Sequence, residues 1–165
     1  MNRITSCKFI LLMTDLLVLF SSLFISYDVL DIARDGHFYF PLEEFDVYVL
    51  IHACISTVGV LWFWIRLRHY TYRKPFWFEL KEIFRTLVIL FIIELAIVAF
   101  SRLYVSRYFW SVTWCCIFIL LPFARVMVKK LLIKTGMYLK ETIIIGNGRN
   151  AKEVFDALNN ESYLG

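Results

Sequence analysis

A chain of 165 residues that is 60% hydrophobic and 18% aromatic, with a mean hydropathy of +0.66, is too apolar for an ordinary soluble domain. Its net charge of +4 is modest and unevenly placed. The basic residues border apolar runs instead of lining one face of a soluble fold, which argues against nucleic-acid binding and makes the charge a guide to topology.

The chain opens on a basic start, Arg3 and Lys8, followed by 25 residues from Phe9 to Ala33 without Lys or Arg. That run exceeds the apolar core of a signal peptide and no A-x-A cleavage pattern follows it, so it reads as a signal anchor. A first span is expected over about residues 7–30, carrying Asp15 and Asp28. The next stretch, Asp31 to Asp46, holds five acids against one base, and Gly36 and Pro41 interrupt any helix through it. A loop so poor in Lys and Arg belongs on the outer side of the membrane.

The second span, about 47–65, leads into Trp62–Arg85, WFWIRLRHYTYRKPFWFELKEIFR, where six bases stand against two acids among aromatic rings. Basic loops are retained in the cytoplasm and aromatic rings settle where hydrocarbon meets water, so 66–85 is read as a cytoplasmic loop. Pro75 suits the first turn of a helix, where its missing N–H costs nothing. Phe76, Leu80, Ile83, Phe84 and Leu87 then recur at helical spacing, an amphipathic segment expected to lie in the interface. Arg66, Arg68, Arg73 and Lys74 are the candidate contacts to anionic lipid or a lipid phosphate; topological anchoring accounts for the same charges.

The third span, about 86–102, has Glu94 near its middle and a snorkelling Arg102 at its end. Its eleven Leu, Ile, Val and Phe residues, at roughly −0.3 to −0.6 kcal/mol each, outweigh about +3 kcal/mol for one acid. An acid at that depth is a candidate proton relay or substrate contact, or else a side chain hydrogen-bonded within the bundle. Arg102–Arg107 forms a tight outer turn, and the fourth span covers about 108–124 with Pro122 near its inner end. Arg125, Lys129, Lys130, Lys134 and Lys140 follow, placing the C-terminus in the cytoplasm. Residues 1–135 are thus expected to form an all-α membrane domain of four transmembrane helices with both termini cytoplasmic. The four cysteines, Cys7, Cys54, Cys115 and Cys116, lie in or beside apolar runs with no metal-ligand spacing and are expected as buried, reduced thiols.

After Gly136 the composition changes. Thr142–Ile145 reads as a short buried strand, Gly146–Ala151 (GNGRNA) fits G-x-G-x-x-A, and Lys152–Leu158 has helical character. That order suits a dinucleotide fingerprint, in which backbone N–H groups and a helix N-terminus meet a pyrophosphate. Gly146, Gly148 and Ala151 are the candidate nucleotide contacts. The acid expected about 20 residues further on falls beyond Gly165. A lone strand cannot bury itself, so 136–165 is read as the start of a Rossmann-like domain within which the chain stops. No Ser/His/Asp set, metal cluster or phosphate-loop lysine stands out, and His37, His52 and His69 fall in separate segments. No catalytic or metal-binding residue is identified.

The loop Trp62–Arg85, followed by apolar spans and then KETIIIGNGRNA, resembles the N-terminal part of the large bacterial polyprenyl-phosphate hexose-1-phosphate transferases. The resemblance covers the whole chain. It implies four transmembrane helices leading into a cytoplasmic Rossmann-like domain and then a catalytic domain, in which an Asp–Glu pair works with magnesium. For a galactose-transferring member, galactose-1-phosphate moves from UDP-galactose to undecaprenyl phosphate at the bacterial inner membrane, initiating O-antigen or capsule synthesis. None of those catalytic positions occurs in this sequence, so the chain alone is expected to be an inactive membrane anchor, free to form a homo-oligomer. The other expectation is a short membrane protein that binds a partner or lipid without catalysis. A transporter is disfavoured, because only Glu94 sits at mid-depth and paired helix breaks are missing.

Overall fold

A computed structural model describes residues 3–33, 42–72, 74–101, 106–138, 143–146 and 148–160, and among these every regular element is a helix. Four are long: α1 (Arg3–Ala33), α2 (Leu42–Ile65), α3 (Phe76–Ser101) and α4 (Arg107–Lys134); α5 (Arg149–Asn160) is short. All four long helices have the length and apolarity to cross a membrane. At 1.5 Å per residue, the 31 residues of α1 reach about 46 Å, so its ends stand beyond a hydrocarbon core of about 30 Å. Leu17, Leu50, Ile92, Phe100 and Ile119 are exposed on these helices, the pattern of a bundle whose outer surface faces lipid. The chain is a multi-pass membrane protein.

The helices alternate in direction and pack in a ring, α1 against α2 and α4, and α3 against α2 and α4, with α1–α4 by far the most extensive contact. Cys7 Sγ donates to the Met137 carbonyl at 3.1 Å, pairing the start of α1 with the end of α4. The main core joins Leu11, Leu19, Phe63, Ile83, Leu87, Trp114, Ile117 and Leu121. A second cluster of Leu23, Leu30, Tyr48 and Phe109 closes the opposite end. Gly59 lets α2 approach α3: a Cβ there would lie 2.6 Å from Leu90 Cδ1. Small residues serve this purpose in membrane bundles, where packing replaces the hydrophobic effect.

Several boundaries differ from those expected. The segment 76–85 is not a separate interfacial helix but the first third of α3, continuous with the third span. The Glu79 N–H bonds to the Pro75 carbonyl at 3.1 Å, so Pro75 does start the helix. The fourth span runs through Pro122 to Lys134, drawing the expected basic flank into the helix. Cys54 and Cys115 are free but exposed, and only Cys7 is fully buried, because apolar side chains of a membrane bundle need not point inward. Ile143–Ile145 form no ladder, since a strand needs a partner and none lies among the described residues. α5 does form, beginning three residues earlier than expected.

The α2–α3 connection folds back under the bundle. The His69 N–H reaches the Phe63 carbonyl at 3.0 Å, with Arg68 left-handed at φ 53°, which stops the helix and reverses the chain. That stop turns His69 and Tyr70 inward, where both are buried. At the other exit Gly136 is left-handed (φ 68°) and the Tyr138 N–H bonds to the Leu132 carbonyl, which buries Tyr138.

Replacing Gly59 with Ile is expected to destabilise the bundle by about 1–3 kcal/mol through overpacking against Leu90. Gly59→Ala should cost less, because the Leu90 side chain can turn aside. Thermal unfolding of the detergent-solubilised protein checks the order of the two variants.

Candidate functional site

The most polar part of the bundle lies where the N-terminal half of α1, the α2–α3 turn, the start of α3 and the end of α4 meet. Arg125, 3% exposed, is its centre. Its Nε donates to Asp15 Oδ1 at 2.8 Å and its Nη2 to Asp15 Oδ2 at 2.5 Å, a two-pronged pair between α4 and α1. Its Nη1 donates to His69 Nδ1 at 2.7 Å and to Glu79 Oε1 at 3.2 Å. Lys129, one turn on, donates to Glu79 Oε2, and the Tyr70 hydroxyl donates to Asp15 Oδ2. His69 Nε2 donates to Glu82 Oε2 at 2.7 Å, and Lys74 donates to the same oxygen at 2.5 Å. Below the guanidinium lies the Phe63 ring, 4.5 Å from Cζ, and His69 stacks on that ring at 5.3 Å.

Three carboxylates (Asp15, Glu79, Glu82) therefore meet three cations (Lys74, Arg125, Lys129), and the cluster is neutral as a unit. A lone buried charge is costly, and excellent geometry with further hydrogen bonds is what makes such a cluster tolerable. Because Arg125 can only donate, His69 must accept at Nδ1 and carry its proton on Nε2. The imidazole is thus neutral. Burial, with Arg125 beside it, lowers its pKa to about 4. Burial also pushes the Tyr70 phenol above its ordinary range, helped by the Asp15 carboxylate, so Tyr70 remains a donor.

A second polar group lies deeper. Glu94, fully buried, accepts from the Tyr48 hydroxyl at 2.8 Å and faces His52 Nδ1 at 3.0 Å. His52 Nε2 donates to the Leu19 carbonyl at 3.2 Å. This group ties α2 and α3 to a backbone oxygen of α1, which is the hydrogen-bonded role open to an intramembrane acid.

The other candidates scatter. Arg66 and Arg68 are exposed, with Arg68 reaching Tyr72 (Nη1 to hydroxyl, 3.5 Å), and Arg73 lies outside the described residues. Of the three described, Lys74 enters the cluster. Gly146 is at φ 147°, and the Ala151 N–H bonds to the Gly148 carbonyl at 3.0 Å, opening α5. With Ile143–Ile145, Arg149 and Val154 these residues line an exposed hollow at the start of α5. Among the described residues no group of three or more His, Cys, Asp or Glu could hold a metal ion. The sequence reading missed Asp15, His69, Glu79, Arg125 and Lys129 as one site. An acid in a span without Lys or Arg was the available signal, since such a charge needs a partner from another helix.

No family model matches the chain. Three curated relatives do, over 76–100% of its length. An uncharacterised sugar transferase of Haemophilus influenzae is 54% identical over 166 residues, covering all of this chain and 35% of the relative. An undecaprenyl-phosphate galactose phosphotransferase of Salmonella typhimurium is 47% identical, covering 96% of this chain and 34% of the relative. A UDP-galactose-lipid carrier transferase of Erwinia amylovora is 47% identical over 125 residues, 76% of this chain and 26% of the relative. The chain spans about a third of the length of the relatives it matches.

Arg125→Ala is expected to destabilise the bundle by about 3–5 kcal/mol, because Asp15 is left buried and unpaired. The double variant Asp15→Asn/Arg125→Leu should recover much of that loss, as thermal unfolding in detergent will show. The neutral state of His69 sets a pH dependence. An unfolded histidine titrates near 6.5 and the native one near 4, so between these values only the unfolded chain takes up the proton. The stability that His69 contributes is full above about pH 6.5 and is lost as pH falls towards about 4. His69→Gln, which keeps one acceptor and one donor, should show a shallower decline in Tm across that window than the parent protein.

Proposed function

We propose that this chain, a homologue of one region of the bacterial sugar transferases, is the membrane-anchoring region of such an enzyme. The observation that carries the reading is a match over nearly the whole chain that covers only about a third of the Haemophilus and Salmonella relatives. A region of that size built as four membrane-crossing helices suits an anchor, with sugar transfer carried out by the remaining two thirds. The enzyme's reaction would be transfer of galactose-1-phosphate from UDP-galactose to undecaprenyl phosphate, with magnesium held in its catalytic domain. The membrane is then the bacterial inner membrane, and the product starts a surface polysaccharide such as O-antigen or capsule.

In this reading the polar end of the bundle faces the cytoplasm, where the substrate nucleotide sugar is found. Exposed Arg66, Lys81, Arg85, Lys130 and Lys134 lie at that end, in keeping with retention of basic residues inside. Both termini are then cytoplasmic, and the glycine turn at Gly146, Gly148 and Ala151 begins a Rossmann-like unit that contacts a nucleotide. The internal saturation of the Arg125 cluster and of the Glu94–His52–Tyr48 group supports a scaffold role. Polar groups bonded to one another hold helices in register. Association of two copies would bring two such anchors together.

Two measurements test the anchor. Membranes containing this chain alone should transfer no galactose-1-phosphate from UDP-galactose to undecaprenyl phosphate; transfer above background would overturn the reading. In a background lacking the four native cysteines, Ser106→Cys should react with an impermeant thiol reagent from outside the cell, and Lys134→Cys only after the membrane is opened. The reverse pattern would overturn the orientation.

A further inference from the structure

We infer that Lys81 and Arg85, on the outward face of α3, seat the headgroup of an anionic phospholipid from the bilayer in which the bundle is embedded. α3 sorts its charges by side. Glu79 and Glu82 turn inward, where Glu79 accepts from Arg125 and Lys129, and Glu82 from His69 and Lys74. Lys81 and Arg85 are exposed, and neither has an ion-pair partner among the described residues.

Their neighbours on the helix give the depth. From Val88 to Phe100 every exposed residue of α3 is apolar, as contact with lipid chains requires. On the other side of the two cations, Trp77 and Phe78 are exposed by 76% and 66%, and aromatic rings settle where hydrocarbon meets water. The 26 residues of α3 reach about 39 Å, about 9 Å more than a hydrocarbon core of about 30 Å. With the apolar run in the core, the excess falls at the aromatic end. Lys81 then stands at the phosphate layer and Arg85 at its lower edge, where a long stem carries the guanidinium back up to it.

The pairing itself calls for an anion. Side chains four apart on a helix stand about 5–6 Å from one another at Cβ, and like charges there repel. A phosphate between them removes the repulsion and can take two donors from Arg85 and one from Lys81. Both cations lie in the N-terminal half of α3, away from the carbonyl end that attracts positive charge. Lys134, of the other exposed pair with Lys130, has that attraction in the last turn of α4. No exposed acid competes, since Asp15, Glu79 and Glu82, the described acids at this end, are all paired within the cluster. Acyl chains along Val88, Ile89 and Ile92 favour an anion that carries its own apolar tail. A zwitterionic headgroup would return a positive charge to the same place, so a net-anionic lipid is the occupant.

The test is lipid binding by the delipidated protein in detergent and ammonium acetate, titrated with phosphatidylglycerol or phosphatidylcholine and read by native mass spectrometry. Two cations near the surface at about 1 kcal/mol each convert to a preference of about thirtyfold for phosphatidylglycerol. Lys81→Gln/Arg85→Gln should bring the two lipids within about threefold of each other. The charge-keeping exchange Lys81→Arg/Arg85→Lys should retain the preference, and so should Lys130→Gln/Lys134→Gln. Melts without lipid show that each variant is folded; if the double variant fails, Lys81→Gln and Arg85→Gln singly decide. Equal binding of the two lipids by the parent protein, or an undiminished preference in Lys81→Gln/Arg85→Gln, would overturn the seat. So would an equal loss in Lys130→Gln/Lys134→Gln, which assigns the attraction to the whole rim, or displacement of the lipid by inorganic phosphate, which assigns it to a free anion. All of these leave the anchor reading intact, since that rests on orientation and on the transfer assay.

Discussion

The two-pronged ion pair between Arg125 and Asp15 is the constraint on which the rest of the bundle depends. Each charge is stranded in an apolar helix, and neither is tolerable there without the other. Their meeting fixes α1 against α4 at one depth and one rotation, which explains why that pair of helices shares the largest contact. Once Arg125 is placed, its remaining donors set the tautomer of His69 and the position of Glu79, and through them the α2–α3 turn and the start of α3. One guanidinium thus reaches all four membrane helices or their connections. A lysine could supply the charge but not the planar fork that satisfies two partners on one side and two on the other.

The same pair explains how charge is distributed over the protein. The acids near this end are drawn inward to neutralise Arg125, Lys129 and Lys74, and the exterior keeps a surplus of exposed cations.

Glu94, His52 and Tyr48 do for α2 and α3 what Arg125 and Asp15 do for α1 and α4. Here the groups satisfy one another by hydrogen bonds, Tyr48 and His52 both reaching the Glu94 carboxyl. His52 also touches the Leu19 carbonyl, whose second bond comes from Ser22, so the two polar clusters share the Asp15–Ser22 face of α1. Directional bonds of this sort give specificity to a bundle whose apolar contacts resemble those with lipid.

The sequence by itself determined the number of spans, their approximate places, the start of α3 at Pro75, the glycine turn and the helix after it. Those features follow from local composition: an apolar run long enough to cross a bilayer, a residue without an N–H, a glycine free to adopt positive φ. It also carried the resemblance that the relatives bear out. The tertiary structure alone decided that Asp15 meets Arg125, 110 positions away, and that Glu94 meets His52 across 42. Arg125 and Lys129 look like part of a basic flank when only their neighbours in sequence are considered. They become core residues because α4 continues through Pro122 and its last turns lie against α1 and α3. Pairing between helices depends on rotation and depth, which no single segment encodes.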